Sequence, residues 1–185
     1  YGLFFIDGHS DYYLPEESST GEVADMDLAI VSGHGPDILC DLDHLKPLVM
    51  EQDIVVFGYR DSTQSVQYGC QDIKNTTMIN ALEFEDVQRL GFQNAASLGI
   101  ETLLKNELSG FWIHLDADVL NDSIMPAVDY RLPGGITFSE LSNLLKLLLL
   151  SKKAVGISVT ILNPTLDKDG SITRNFVSCI VEGLS

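Results

Sequence analysis

Short runs of consecutive apolar residues recur along the chain and are separated by longer segments with helical or loop patterns. Such runs are typical of strands buried on both faces of a parallel sheet. Residues 1–6, 53–59, 111–115 and 154–161 therefore predict buried strands, and residues 76–81 predict a further one.

Helical patterns fill the intervals between these strands. We expect helices at residues 24–31, at 85–105 with a split near Gly91, from Phe138 to 150, and at 171–184. Strands that alternate with helices predict an α/β fold with a mostly parallel central sheet flanked by helices on both faces. No linker or repeat interrupts the chain, so we expect residues 1–185 to form one domain. Tyr1 lies inside an apolar run, which leads us to expect further sequence upstream.

The charge balance limits the classes of partner. The chain has 27 acidic against 11 basic residues and a net charge of -16, so phosphates of nucleic acids or anionic membranes would be repelled. Cys40, Cys70 and Cys179 are scattered and form no C-x-x-C pair. This pattern indicates reduced thiols and predicts a cytoplasmic protein.

A first cluster of candidate ligands directly follows the first apolar run. Asp7, His9 and Asp11 alternate in the segment IDGHSD. In an extended segment alternate side chains point the same way, so these three can converge on one metal ion. The simpler interpretation is a polar exit from a strand with solvated acids.

A second cluster follows another apolar run and repeats this geometry. Asp116 and Asp118 lie two residues apart after the run FWIHL. If the two strands are neighbours, their carboxylates meet and need divalent cations to offset their repulsion. The pair of clusters therefore predicts a binuclear metal site. His114 is interpreted as a satisfied core histidine, with a role behind the metal ligands as the alternative.

The segment from Asp116 to Thr137, DADVLNDSIMPAVDYRLPGGIT, resembles without a gap the second metal-binding motif of the ureohydrolase family, which contains arginase, agmatinase and formimidoylglutamase. The D-x-H-x-D segment resembles the family's first motif. The resemblance implies a three-layer arginase-like fold and a hydrolase of linear amidine or guanidino-type carbon–nitrogen bonds. It also implies two Mn ions bridged by a hydroxide, a small-molecule amidine-like substrate and, since members are commonly oligomers, a possible homo-oligomer.

The same resemblance implies a role for each ligand. Asp7 and Asp116 would bridge the two ions, and His9 and Asp118 would hold one of them. Asp11 would hold the other together with a histidine of an upstream G-G-D-H-S segment, and would orient the hydroxide. A set rich in carboxylate oxygens independently favours Mn or Mg over Zn.

Two further histidines need an interpretation. His34, in the segment SGHGP, resembles the family's His-Gly proton shuttle, although the loop that precedes it is longer than in arginase. The alternative is a surface or helix-capping histidine at a glycine-rich turn. His44 is expected to be exposed.

Three positions depart from the pattern of arginase. Tyr13 stands where arginase has an asparagine, Thr63 stands at an acidic specificity position, and Ile161 replaces the carboxylate that pairs with a guanidinium. These departures predict a substrate other than arginine. Two alternatives stay open: a deacetylase-like amidohydrolase with one zinc ion, and a metal-binding pseudoenzyme without catalysis.

Overall fold

A computed structural model describes residues 1–185 and contains one five-stranded, fully parallel sheet. The strands follow the order β3-β2-β1-β4-β5 across the sheet. Their bounds are Gly2–Ile6 (β1), Ile54–Phe57 (β2), Asn80–Leu82 (β3), Phe111–Asp116 (β4) and Ala154–Thr160 (β5).

β1 is the central strand and is buried on both faces. Alternate side chains point to opposite faces, so Phe4 and Ile6 enter the larger of two hydrophobic clusters, whereas Leu3 and Phe5 enter the smaller one. Ile6 pairs with Phe57 of β2 and with Leu115 of β4. This register brings the residues that follow β1 beside the last residue of β4.

Eight α-helices connect the strands and cover the sheet. They are Asp27–Val31 (α1), Asp37–Cys40 (α2), Ser62–Gln67 (α3), Ile73–Thr76 (α4), Phe84–Leu90 (α5), Phe92–Lys105 (α6), Phe138–Leu150 (α7) and Ser171–Gly183 (α8). The larger cluster contains the buried faces of α6, α7 and α8, and the smaller cluster contains residues of α1 and α4. The predicted three-layer α/β fold with a parallel sheet is confirmed.

Local features of the helices agree with the sequence. Gly91 has a φ of 81° and separates α5 from α6, as the predicted split requires. Thr137 caps α7 through a reciprocal pair of hydrogen bonds with Glu140. The sequence did not predict the short helices α2, α3 and α4, and β3 begins at Asn80 rather than at residue 76.

Two further features concern the character of the helices and the state of the cysteines. None of the helices combines the length and apolar character that a membrane crossing requires. Cys40, Cys70 and Cys179 are buried, and none is paired with another in a disulfide.

Candidate metal centre

The two predicted ligand clusters meet at the C-terminal edge of the sheet. Asp7 follows β1 and Asp116 ends the neighbouring β4, and their positions are adjacent because Ile6 pairs with Leu115. Asp7 is fully buried, and Asp116 and Asp118 are 3% and 5% exposed. Open parallel sheets place their functional sites at this edge.

His9 joins these acids through direct contacts. Its Nδ1 lies 3.0 Å from Asp118 Oδ2 and 3.9 Å from Asp7 Oδ1. The backbone amide of His9 donates to Asp7 Oδ1 at 2.8 Å, and the amide of Gly8 donates to Asp118 Oδ1 at 3.0 Å. The end of β1 and the segment after β4 are therefore tied together at the ligand atoms.

Asp11 completes the group through a turn in the backbone. Its φ of 44° lies in the left-handed region, and its carbonyl accepts from the amide of Leu28 at 3.1 Å. Asp11 lines one cavity together with His9, Asp116 and Asp118. Of the five predicted ligands, Asp7, His9, Asp116 and Asp118 therefore supply the compact groups of ligand atoms, and Asp11 lines the same cavity outside those groups.

Crowding of these carboxylates changes their affinity for protons. Burial, and then repulsion from neighbouring acids, raises the pKa of Asp7 and of Asp11 well above the ordinary value. Burial also raises the pKa of Asp116. Burial opposes ionisation of Asp118 as well, but the hydrogen bond with His9, the charge of His9 and the hydrogen bond from the amide of Gly8 together outweigh that effect, so the pKa of Asp118 is lowered.

The donor set fits a divalent cation. Asp7 Oδ2 is buried and has no hydrogen-bond partner, although buried polar atoms are normally satisfied. Asp7 belongs to two compact groups of possible ligands, one with His9 and Asp118 and one with His114 and Asp116, and the ligand atoms of each group lie within 4.8 Å of one another. Carboxylate oxygens with few imidazoles are a ligand set that suits Mn or Mg.

The remaining histidines lie in three different environments. His34 does not reach the cluster: its Nε2 lies 3.0 Å from Glu51 Oε1, its ring contacts Tyr12, and it does not line the cavity. His44 is exposed, as expected. His114 is largely buried, and burial lowers its pKa to about 4. Its Nε2 has no hydrogen-bond partner, so the expectation of a satisfied core histidine is wrong.

Two residues that the sequence did not single out as site residues hold the ligands in place. Thr160 ends β5 and donates from Oγ1 to Asp116 Oδ2 at 3.0 Å. Arg60 donates from Nη2 to the carbonyls of Asp118 at 2.8 Å and Leu132 at 3.2 Å. The position of Thr160 at a strand end would predict its contact with Asp116 only if the strand order were known.

Glycine is required at position 8 by the closeness of these groups. A Cβ atom there would lie 2.6 Å from Arg60 Nη1 and 2.7 Å from both Asp118 O and Asp118 Oδ1. Such distances are too short for carbon contacts, so a side chain would push the two strand ends apart.

A cavity of about 410 Å³ opens above the cluster. Tyr13 and Ile161, two of the three positions that depart from arginase, line it. Thr63, the third, is exposed and does not line it, whereas its neighbour Gln64 does. The walls also carry charged side chains, namely Glu22, Asp25, Asp61, Asp129 and Arg131.

Comparison with known proteins gives a consistent family. A model described as the arginase family matches residues 1–184. An arginase of Staphylococcus aureus is 29% identical over 181 residues, which cover 97% of this chain and 57% of that protein. A crystal structure of arginase from Bacillus subtilis superposes with a TM-score of 0.86 at 24% identity, covering 99% of this chain and 61% of that one.

More distant structures share the fold. A formimidoylglutamase of Bacillus subtilis superposes with a TM-score of 0.77 at 18% identity, covering 99% of this chain and 52% of that one. The chain therefore spans between half and two thirds of the length of these relatives.

Proposed function

The chain belongs to the arginase family, and we propose that its strand-end cluster is the two-manganese centre of a hydrolase that cleaves linear amidine or guanidino-type carbon–nitrogen bonds. The observation that carries the proposal is the buried set of Asp7, Asp116 and Asp118 with His9, which opens onto a cavity of about 410 Å³. A structural role alone does not account for acids gathered where burial opposes their ionisation.

The positions of the ligands suit the roles that the resemblance to the family implies. Asp7 belongs both to the group with His9 and Asp118 and to the group with His114 and Asp116, which suits a carboxylate shared by two ions. His9 and Asp118 contact each other and would hold the first ion. When bound, a pair of manganese ions supplies a hydroxide nucleophile at neutral pH and stabilises the negative charge that develops on the attacked group.

Proton transfer needs a group inside the cavity. His34 lies outside it, bound to Glu51, so we assign it no part in the reaction. Asp11 lines the cavity beside His9 and Asp116. Its carboxylate is placed to take a proton from the attacking water and to give it to the leaving amine.

The cavity walls select the substrate. Glu22, Asp25 and Asp129 surround the opening with negative charge and favour a cationic amidinium group. Ile161 presents an apolar side chain and offers no acid to pair with a guanidinium. We therefore propose an amidine-like substrate other than arginine.

The test uses the full chain loaded with Mn and a panel of amidines that includes arginine, agmatine and formimidoylglutamate. We expect release of ammonia, amine or urea from a member other than arginine, and a loss of at least about a hundredfold in kcat/KM in the Asp118→Asn variant. Asp43→Asn, at an exposed acid remote from the cavity, is the matched control.

Two results would contradict the proposal. Tight binding of two Mn ions without turnover of any amidine would favour the pseudoenzyme alternative. A stable content of one zinc ion after loading with mixed metals would favour the deacetylase-like alternative.

A further inference from the structure

His114 lies on the far side of Asp7 from His9 and was not among the five predicted ligands. Its Nε2 is 3.7 Å from Asp7 Oδ2 and 3.8 Å from Asp27 Oδ2. Both distances exceed those of a hydrogen bond. They do suit ligands of one ion, since metal–ligand bonds of about 2.0–2.2 Å place neighbouring ligands about 3–4 Å apart.

Three buried polar atoms at this point have no hydrogen-bond partner: His114 Nε2, Asp7 Oδ2 and Asp27 Oδ1. An unsatisfied buried polar group destabilises a protein, so three such atoms on neighbouring side chains are not expected in a folded core. A cation among them would give the nitrogen and the carboxylate oxygens a partner at once.

The imidazole of His114 is held as a metal ligand would be. Its ring stacks on Phe5 at 4.3 Å with an interplanar angle of 9°. Its Nδ1 lies 3.4 Å from Ser158 Oγ, on the side away from Asp7. A proton on Nδ1 leaves the Nε2 lone pair directed at the carboxylates, and ligating histidines commonly make such an outer hydrogen bond.

We propose that His114 and Asp27 are ligands of the second metal ion, together with Asp7 and Asp116. This inference rests on the proposed function, because it supposes that the chain binds a pair of divalent ions. The first ion would take Asp7, His9 and Asp118, and the second would take Asp7, Asp116 and His114 with Asp27 beside them, whereas Asp11 belongs to neither compact group. Each ion then has one imidazole from this chain, and Asp7 is shared.

The experiment measures metal content and spectrum rather than activity. Metal-free full chain is titrated with Mn, and the bound ions are counted by elemental analysis and examined by electron paramagnetic resonance. We expect two ions and an exchange-coupled signal in the wild type.

His114→Phe keeps an aromatic ring on Phe5 but removes both nitrogens, and Asp27→Ala changes a side chain that is 38% exposed.

Both variants should retain one ion, show a mononuclear signal, and bind the other ion at least about a hundredfold more weakly. His9→Ala should remove the other ion of the pair, and His44→Ala, at an exposed histidine, should change nothing. Urea unfolding of the metal-free proteins establishes that each variant is folded.

The outcomes separate this inference from the proposed function. Two ions bound with unchanged affinity in folded His114→Phe and Asp27→Ala would overturn the inference and leave the two-manganese centre intact. A wild-type chain that binds no Mn would overturn both.

Discussion

Replacement of Thr160 by valine tests how the metal ligands are held. Thr160 Oγ1 donates to Asp116 Oδ2 at 3.0 Å, and the two residues are paired between β5 and β4. Valine keeps the shape and the strand preference of threonine but cannot donate. A hydrogen bond to a charged group contributes about 1.5–3 kcal/mol, which corresponds to roughly a ten- to hundredfold higher Kd for Mn.

The difference in Mn affinity between Thr160→Val and the wild type should depend on pH. Burial raises the pKa of Asp116, and the hydrogen bond from Thr160 opposes that rise. Loss of the bond raises the pKa further, and Asp116 must release its proton to hold a metal ion. The deficit in Mn affinity should therefore be largest at low pH and should shrink as the pH rises.

Calorimetric titration of the metal-free protein with Mn, at about pH 6.5 and about pH 8.5, measures both effects. Thr160→Ser retains the hydroxyl and should bind nearly as the wild type does. If Thr160→Val and the wild type had equal Kd values at both pH values, the hydroxyl would have no role in holding Asp116. Equal weakening in Thr160→Ser would point to packing instead.

Three further predictions concern other residues. Asp7→Asn should raise the free energy of unfolding of the metal-free chain, measured in urea at about pH 7.5, by about 1–3 kcal/mol. The pKa of Asp7 is raised in the folded state, so the folded state loses stability as the pH rises above the pKa that Asp7 has in the unfolded chain. That gain should vanish near pH 4, and a gain independent of pH would contradict the reasoning. His34→Ala should leave kcat unchanged in the amidine assay, since His34 lies outside the cavity, and a large loss would restore it as a proton shuttle. Ile161→Glu should raise kcat/KM for arginine by roughly ten- to a hundredfold, and no change would mean that position 161 does not face the guanidinium.

Much of the fold could be predicted because buried parallel strands have a local signature. Each apolar run became a strand, and the ligands that follow β1 and those at the end of β4 met because both strands end at the same edge. Alternation along the segment predicts that Asp7 and His9 lie together, as they do, although residues 8 and 9 form a bend rather than an extended strand. The adjacency of β1 and β4 cannot be predicted in this way, since no local pattern encodes strand order.

The rest depended on contacts between distant parts of the chain. The glycines beside His34 leave a proton shuttle and a surface histidine equally open, and the path of residues 12–33 carries His34 to Glu51. His114 was expected to be satisfied, and only the packing of α1 beside β4 reveals that its partners are Asp7 and Asp27. The sequence of residues 13–26 does not predict the contact between His114 and Asp27, because the path of this segment is determined by tertiary contacts rather than by a periodic pattern.

Under the proposed function, metal binding and substrate selection would fall to different parts of the fold. The ligands come from strand ends whose register is fixed by backbone hydrogen bonds and by burial on both faces. Most of the charged wall of the cavity comes from loops, including Glu22, Asp129 and Arg131. Exposed loop positions tolerate substitution because little packing depends on them. A change such as the apolar Ile161 would therefore alter which substrate the proposed site accepts, while Asp7, His9 and Asp118 would keep their positions.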